Sequence, residues 1–166
     1  DGTLYYGKAM TQVGSFSIYQ FDEAEWRSLQ NIHTVLLQRG WAEPWDLSQG
    51  IKSAATLDGL TIKEGHILGV DLSNKHLSGE FPVEILSLPQ LQSVDLSDNE
   101  LSGKADNVAM FAMKNPRLLQ NIIEIDLSSN QITGNIGLFA RAFPNLESLK
   151  ASNNAIEDVF PMISPK

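Results

Sequence analysis

ILGVDLSNKHL at residues 67–77 is followed by LQSVDLSDNEL at 91–101, IIEIDLSSNQI at 122–132 and LESLKASNNAI at 146–156. The four stretches share one eleven-residue frame, LxxLxLxxNxL, and begin at intervals of 24, 31 and 24 residues, so the second repeat carries a seven-residue insertion. Self-similarity of this kind marks a stack of repeated supersecondary units. Within the frame, apolar positions 4 and 6 alternate with polar positions 3, 5 and 7, as a strand with one buried face requires. The inward set is Val70 and Leu72, Val94 and Leu96, Ile125 and Leu127, then Leu149 and Ala151. Position 9 is Asn99, Asn130 and Asn154, where a side-chain amide suits backbone groups stranded inside a coil. The first repeat has Lys75 there, which cannot accept a hydrogen bond, and that coil is expected to be less regular or satisfied by water.

Ser78-Gly79, Ser102-Gly103 and Thr133-Gly134 follow the frame in three repeats, and Pro82 and Pro161 stand at position 16 in two. This pattern resembles the leucine-rich repeat family in its plant-type 24-residue form, whose consensus reads roughly LxxLxLxxNxLxGxIP. The resemblance covers about residues 67–161, and FPVEILSLPQL at 81–91 is similar to the family's convex return segment. It implies an α/β fold: a short right-handed leucine-rich repeat solenoid with a parallel sheet on its concave face and an N-terminal helical cap.

The expected organisation is an N-terminal segment at 1–21 (a hairpin or a linker), a cap with a helix at 22–66, four repeats at 67–161 and an open end at 162–166. Trp26, Leu29, His33, Leu36 and Leu37 fall on one side of a helix over 22–39. Asp22 and Glu25 form a capping-box-like start, and Gly40 suits the stop. LDGLTIKEGHILGVDL at 57–72 reads as strand, tight Glu-Gly turn and strand. The stretch from Leu57 to Ile62 is similar to the family's W-x-G-V-x-C cap segment, with Ile62 where a cysteine would stand. A cysteine-free cap favours a bacterial surface or secreted member. Asp1 in place of Met points to a stretch of a longer chain. Nothing after Pro161 reads as a C-terminal cover, so the array is expected to continue or to meet another chain.

The 166 residues carry 12 basic and 20 acidic side chains, a formal net charge of −8, which argues against nucleic acid as a partner. Zero cysteines exclude disulfides, thiolate metal sites and a cysteine nucleophile. No apolar run reaches the ~18 residues that span a bilayer, so this segment is not expected to insert in a membrane. His33, His66 and His76 lie in no metalloprotease motif, and no nucleophile elbow, P-loop or dinucleotide fingerprint is present. Asp95 to Asn99 is superficially like a calcium loop, but Glu100 replaces the glycine of its sharp turn. The expectation is therefore no enzyme and no cofactor.

Stacked strands bring equal positions of adjacent coils to about 4.8 Å. Position 5 then aligns Asp71, Asp95, Asp126 and Lys150, and position 7 aligns Ser73, Ser97, Ser128 and Ser152. This is an acidic face with hydroxyls, suited to a basic peptide, a polyol or a cation. Positions 2, 3 and 8 vary between coils and supply Gln92, Glu124 and Glu147, together with the apolar Leu68 and Ile123. The candidate ligand-binding set is Asp71, Gln92, Asp95, Glu124, Asp126, Glu147 and Lys150. The expected partner is a protein or glycan outside the cell or in its envelope, held by a monomer or by a chain that self-associates weakly through its C-terminal coil. A structural spacer of a larger surface protein and a metal-dependent site on the aspartate column are the alternatives.

Overall fold

The computed structural model describes residues 20–156, so the reading of 1–21 as hairpin or linker, for all but its last two residues, and that of the open C-terminal end fall outside the described residues. Helix α1 spans Glu23–Leu37 and is opened by Asp22, whose Oδ2 accepts from the Glu25 backbone N–H at 3.0 Å. Glu25 does not return the bond as a capping box would. Its side chain is buried, and its carboxylate leaves the helix for the hairpin below. The amide of Asp22 donates instead to the carbonyl of Gly65, the second residue of the turn between β1 (Leu60–Lys63) and β2 (His66–Asp71). Glu64 and Gly65 both have positive φ there, as a two-residue hairpin turn requires.

The hairpin is antiparallel, and from β2 onward every neighbour is parallel. The five-stranded sheet runs β1, β2, β4 (Ser93–Asp95), β6 (Glu124–Asp126), β7 (Ser148–Lys150). Val70 pairs with Val94, Val94 with Ile125 and Ile125 with Leu149. The register therefore steps by 24, 31 and 24 residues, as the repeat frame predicts. A second parallel pair, β3 (Ser78–Gly79) with β5 (Glu100–Leu101), and a bridge from Lys104 to Thr133 follow the Ser/Thr-Gly steps.

The return segments differ from coil to coil. The first holds a 3-10 turn at Val83–Ser87, the second α2 (Asn107–Lys114) and the third α3 (Ile136–Arg141). The insertion thus lengthens a return helix, whose Val108 is buried and whose Phe111 and Ala112 pack on the core. A continuous apolar core runs from α1 through the inward strand positions to Phe139 and Phe143. Trp26, Trp41 and Trp45 are buried in the cap, Trp41 and Trp45 edge to face at 4.8 Å. Ile62 packs half-buried against the same core. No helix among the described residues is long and apolar enough to cross a membrane.

Position 9 shows how the coils are joined. The Asn99 Oδ1 accepts from the amides of Lys75 and Leu77 in the preceding coil, at 3.0 and 2.9 Å, and its Nδ2 donates to the carbonyls of Leu72, Leu96 and Ser97. Asn130 repeats this towards Leu101 and Leu96, and Asn154 towards Ile132 and Leu127. Each asparagine therefore serves the coil before its own. The first coil follows a hairpin rather than a coil, so it has no such groups to serve. The expectation of an irregular first coil at Lys75 is corrected accordingly. Lys75 Nζ turns outward to Asp58 at 3.5 Å and Glu43 at 3.6 Å, and its carbonyl accepts from the amide of Ala42. Lys75→Asn is expected to change stability by no more than about 1 kcal/mol in chemical denaturation, since Glu43 and Asp58 are exposed and the packing of a half-buried lysine stem is what is lost with them.

Candidate functional site

The strand register sets the outward side chains in rows. Asp71, Asp95, Asp126 and Lys150 form one row across four adjacent strands, and Gly69, Ser93, Glu124 and Ser148 form the next. Between them lies a concave groove of about 270 Å³, bounded at the cap end by Gly59 and Thr61 and at the far end by Lys150. Five of the seven residues expected from sequence line it: Asp71, Asp95, Glu124, Asp126 and Lys150. Gln92 and Glu147 are exposed but stand outside it. The reason is that β4, β6 and β7 begin at position 3 of the frame, leaving position 2 on the turn into the strand.

The aspartates are anchored one at a time. Oδ1 of Asp71 accepts from the amide and hydroxyl of Ser73 at 3.0 and 2.7 Å. Asp95 does the same with Ser97 at 2.9 and 2.6 Å, and Asp126 with Ser128 at 2.9 and 2.6 Å. This changes the reading of position 7. The serine hydroxyls are committed to the carboxylates and do not line the groove, whereas Thr61 and Ser93 do. Two donors to one oxygen also spread the charge of each aspartate, which lets three of them stand in one row. Oδ2 of each has no protein partner among the described residues.

Sequence reasoning missed six residues of the groove, Gly59, Thr61, Gly69, Val70, Ser93 and Val94, of which Thr61, Gly69 and Ser93 shape a notch. Gly69 has an ordinary backbone conformation, so it is not there for a turn. A Cβ built on it would come within 2.9 Å of Ser93 Oγ and 3.2 Å of Thr61 Oγ1. The strand is glycine here because the two hydroxyls close over it, and the result is a notch beside Asp71 and Asp95. The available signal was the small residue at position 3 in three of the four repeats, Gly69, Ser93 and Ser148, with Glu124 in the other.

Position 8 carries backbone rather than specificity. Asn74, Asp98, Ser129 and Asn153 all have φ between 55° and 59°, the left-handed region that small polar side chains tolerate best. Trp26, Trp41 and Trp45 are buried and present no open ring face to a ligand. Among the described residues, no group of three or more His, Asp or Glu is arranged to hold a metal ion.

No family model matches the chain. Receptor-like protein 56 of Arabidopsis thaliana is 24% identical over 155 residues, which is 93% of this chain and 15% of that protein. Receptor-like protein 7 of the same plant is 35% identical over 101 residues, 60% of this chain and 9% of that protein. The chain thus spans a small part of these relatives. Among solved structures, the leucine-rich repeat ectodomain of the Arabidopsis receptor kinase HAESA, in complex with an N-terminally extended IDA peptide hormone, matches with a TM-score of 0.58 and 29% identity. That match covers 81% of this chain and 23% of the ectodomain. The BIR2 ectodomain from the same plant shares the fold at a TM-score of 0.62 and 21% identity, over 82% of this chain and 70% of its own. The architecture is the leucine-rich repeat solenoid. These relatives are plant proteins and give the bacterial reading no support.

Proposed function

We propose that this leucine-rich repeat protein is a non-catalytic recognition module that holds an extended peptide segment of a protein ligand on its concave strand face, outside the cell. The observation that carries the reading is the groove, with its row of anchored aspartates ending in Lys150. Rigidity favours such a surface, because carboxylates already fixed by two hydrogen bonds lose little freedom when a ligand arrives. The row is negative over three strands and positive on the fourth, so it selects a ligand with a cationic group towards the cap and an anionic group towards Lys150. Three strand spacings are about 14 Å, the reach of roughly four extended residues. The extracellular setting draws on the receptor-like relatives, and the peptide ligand on the HAESA complex.

Asp95→Asn separates charge from structure, because an amide oxygen still accepts from Ser97. A library of short peptides with Lys or Arg at one end and Glu or Asp at the other, and an array of glycans, are titrated against the chain and this variant. The expected result is salt-sensitive peptide binding that falls about tenfold in the variant, the worth of one charge-assisted contact, while stability moves by less than about 0.5 kcal/mol. Equal affinity in Asp95→Asn and in Asp126→Asn would move the site off this face. Glycan binding without peptide binding would replace the ligand class.

A further inference from the structure

We propose that Glu25 and His66 form a pH-responsive latch that fastens the cap helix to the hairpin walling the cap end of the groove. Glu25 is 1% exposed in the first turn of α1, yet both carboxylate oxygens cross to β2. Oε2 meets His66 Nδ1 at 2.5 Å and Oε1 accepts from the Ile67 amide at 2.8 Å. A buried carboxylate is tolerated only with such partners, and the imidazole is the one that can change charge near neutral pH. The His66 ring keeps 42% of its surface exposed, so its proton exchanges with solvent without any opening.

The surroundings make the charge matter. Asp22 and Glu64 add negative charge around His66 from the helix start and the turn, and Lys63 stands opposite it across the hairpin. The hydrogen bond to Glu25, joined by the charges of Glu25, Asp22 and Glu64, holds the His66 pKa above its ordinary value against the opposing effect of burial. A raised folded value means that the protonated ring contributes its full stability below about pH 6.5, and that this is lost as pH rises through the folded value. Above that point the ring is neutral and no longer offsets the negative charge gathered around it.

Strand β2 carries the change to the groove. Asp71 stands four positions after Ile67 on the same strand, and Gly69, Val70 and Asp71 all line the groove. Gly69 is packed closely against the notch, since a methyl group there would press on Ser93 Oγ and Thr61 Oγ1. A shift of β2 at His66 therefore moves the hydroxyls of the notch. That the latch bears on recognition rests on the concave-face reading; the latch itself does not.

The test needs no ligand. The melting temperature, the His66 ring shift and the amide shifts and exchange of Ile67, Gly69 and Asp71 are followed from pH 5.5 to 8.5 in the full chain by calorimetry and NMR. The expected result is one shared midpoint, with Ile67 protection, corrected for intrinsic exchange, falling at least about threefold above it. His66→Asn places an amide N–H where Nδ1 stands and does not titrate, and should flatten all of these curves. Glu25→Gln should return His66 to its ordinary titration range. The same pH slope in His66→Asn, or Gly69 and Asp71 amides that stay still while His66 titrates, overturns the latch and leaves the peptide reading untouched.

Discussion

Replacing Asn99 by alanine is expected to destabilise the protein by about 3–5 kcal/mol, far beyond the effect of a surface change. The side chain is 8% exposed and makes five hydrogen bonds, two accepted and three donated. Alanine strands the amides of Lys75 and Leu77 and the carbonyl of Leu72 between two coils, where water has poor access. Each buried group left unpaired costs about 1–3 kcal/mol, and partial solvation of the space vacated keeps the sum below its maximum. Asn99→Asp tests which half of the amide matters. It keeps the acceptors but places a carboxylate against three carbonyl oxygens, so it should be at least as damaging near neutral pH. In a solenoid each repeat leans on its neighbours alone, so the loss should be local. Equilibrium urea denaturation gives the free energy, and hydrogen exchange should show Lys75 and Leu77 losing protection before Ile132. A loss under about 1 kcal/mol for Asn99→Ala would mean that the coils are held by apolar packing with the amides incidental.

The asparagines also show where sequence was sufficient. Strand register, the inward set and the row of Asp71, Asp95, Asp126 and Lys150 were legible because a period of two fixes which face a residue occupies, and the repeat interval fixes its neighbour. The direction of service was not legible. An amide facing its own turn and one facing the previous coil leave the same letter at position 9, and Lys75 was misread for that reason. Glu25 is a similar case. Its spacing from Asp22 fits a capping box, but the hairpin that draws its carboxylate away lies 41 residues along the chain, at His66. The groove was half visible. Charges announce themselves in sequence, and five of seven expected residues line it. The notch at Gly69 arises from two hydroxyls on different strands, Thr61 through an antiparallel pairing and Ser93 through a parallel one, a juxtaposition that no single repeat frame contains.

Phe139→Ala should cost about 3–5 kcal/mol by a different route, the creation of a cavity. Phe139 is fully buried in α3, with its ring centroid 5.7 Å from Phe81 and 5.1 Å from Phe143. Phe81 belongs to the first coil and Phe139 to the third, so this contact passes over the second. What lets it through is the inserted return segment. The second coil offers Ala105 at the place equivalent to Phe81, and its bulk is moved along into α2, where Val108 is buried while Met110 and Met113 are left at the surface. Longer return helix and small inward residue are two parts of one arrangement, in which two aromatic rings bind non-adjacent coils. Nearest-neighbour stacking alone predicts that Phe139→Ala weakens only the interfaces of the third coil. The ring contact predicts that Phe81→Ala and Phe139→Ala are coupled, with a double-mutant interaction of about 0.5–1.5 kcal/mol beyond the lost area. Leu138→Ala, on the exposed side of the same helix, should stay within about 0.5 kcal/mol. Additive losses at Phe81 and Phe139 would show that the rings touch without holding the coils together, and would return the insertion to a surface elaboration.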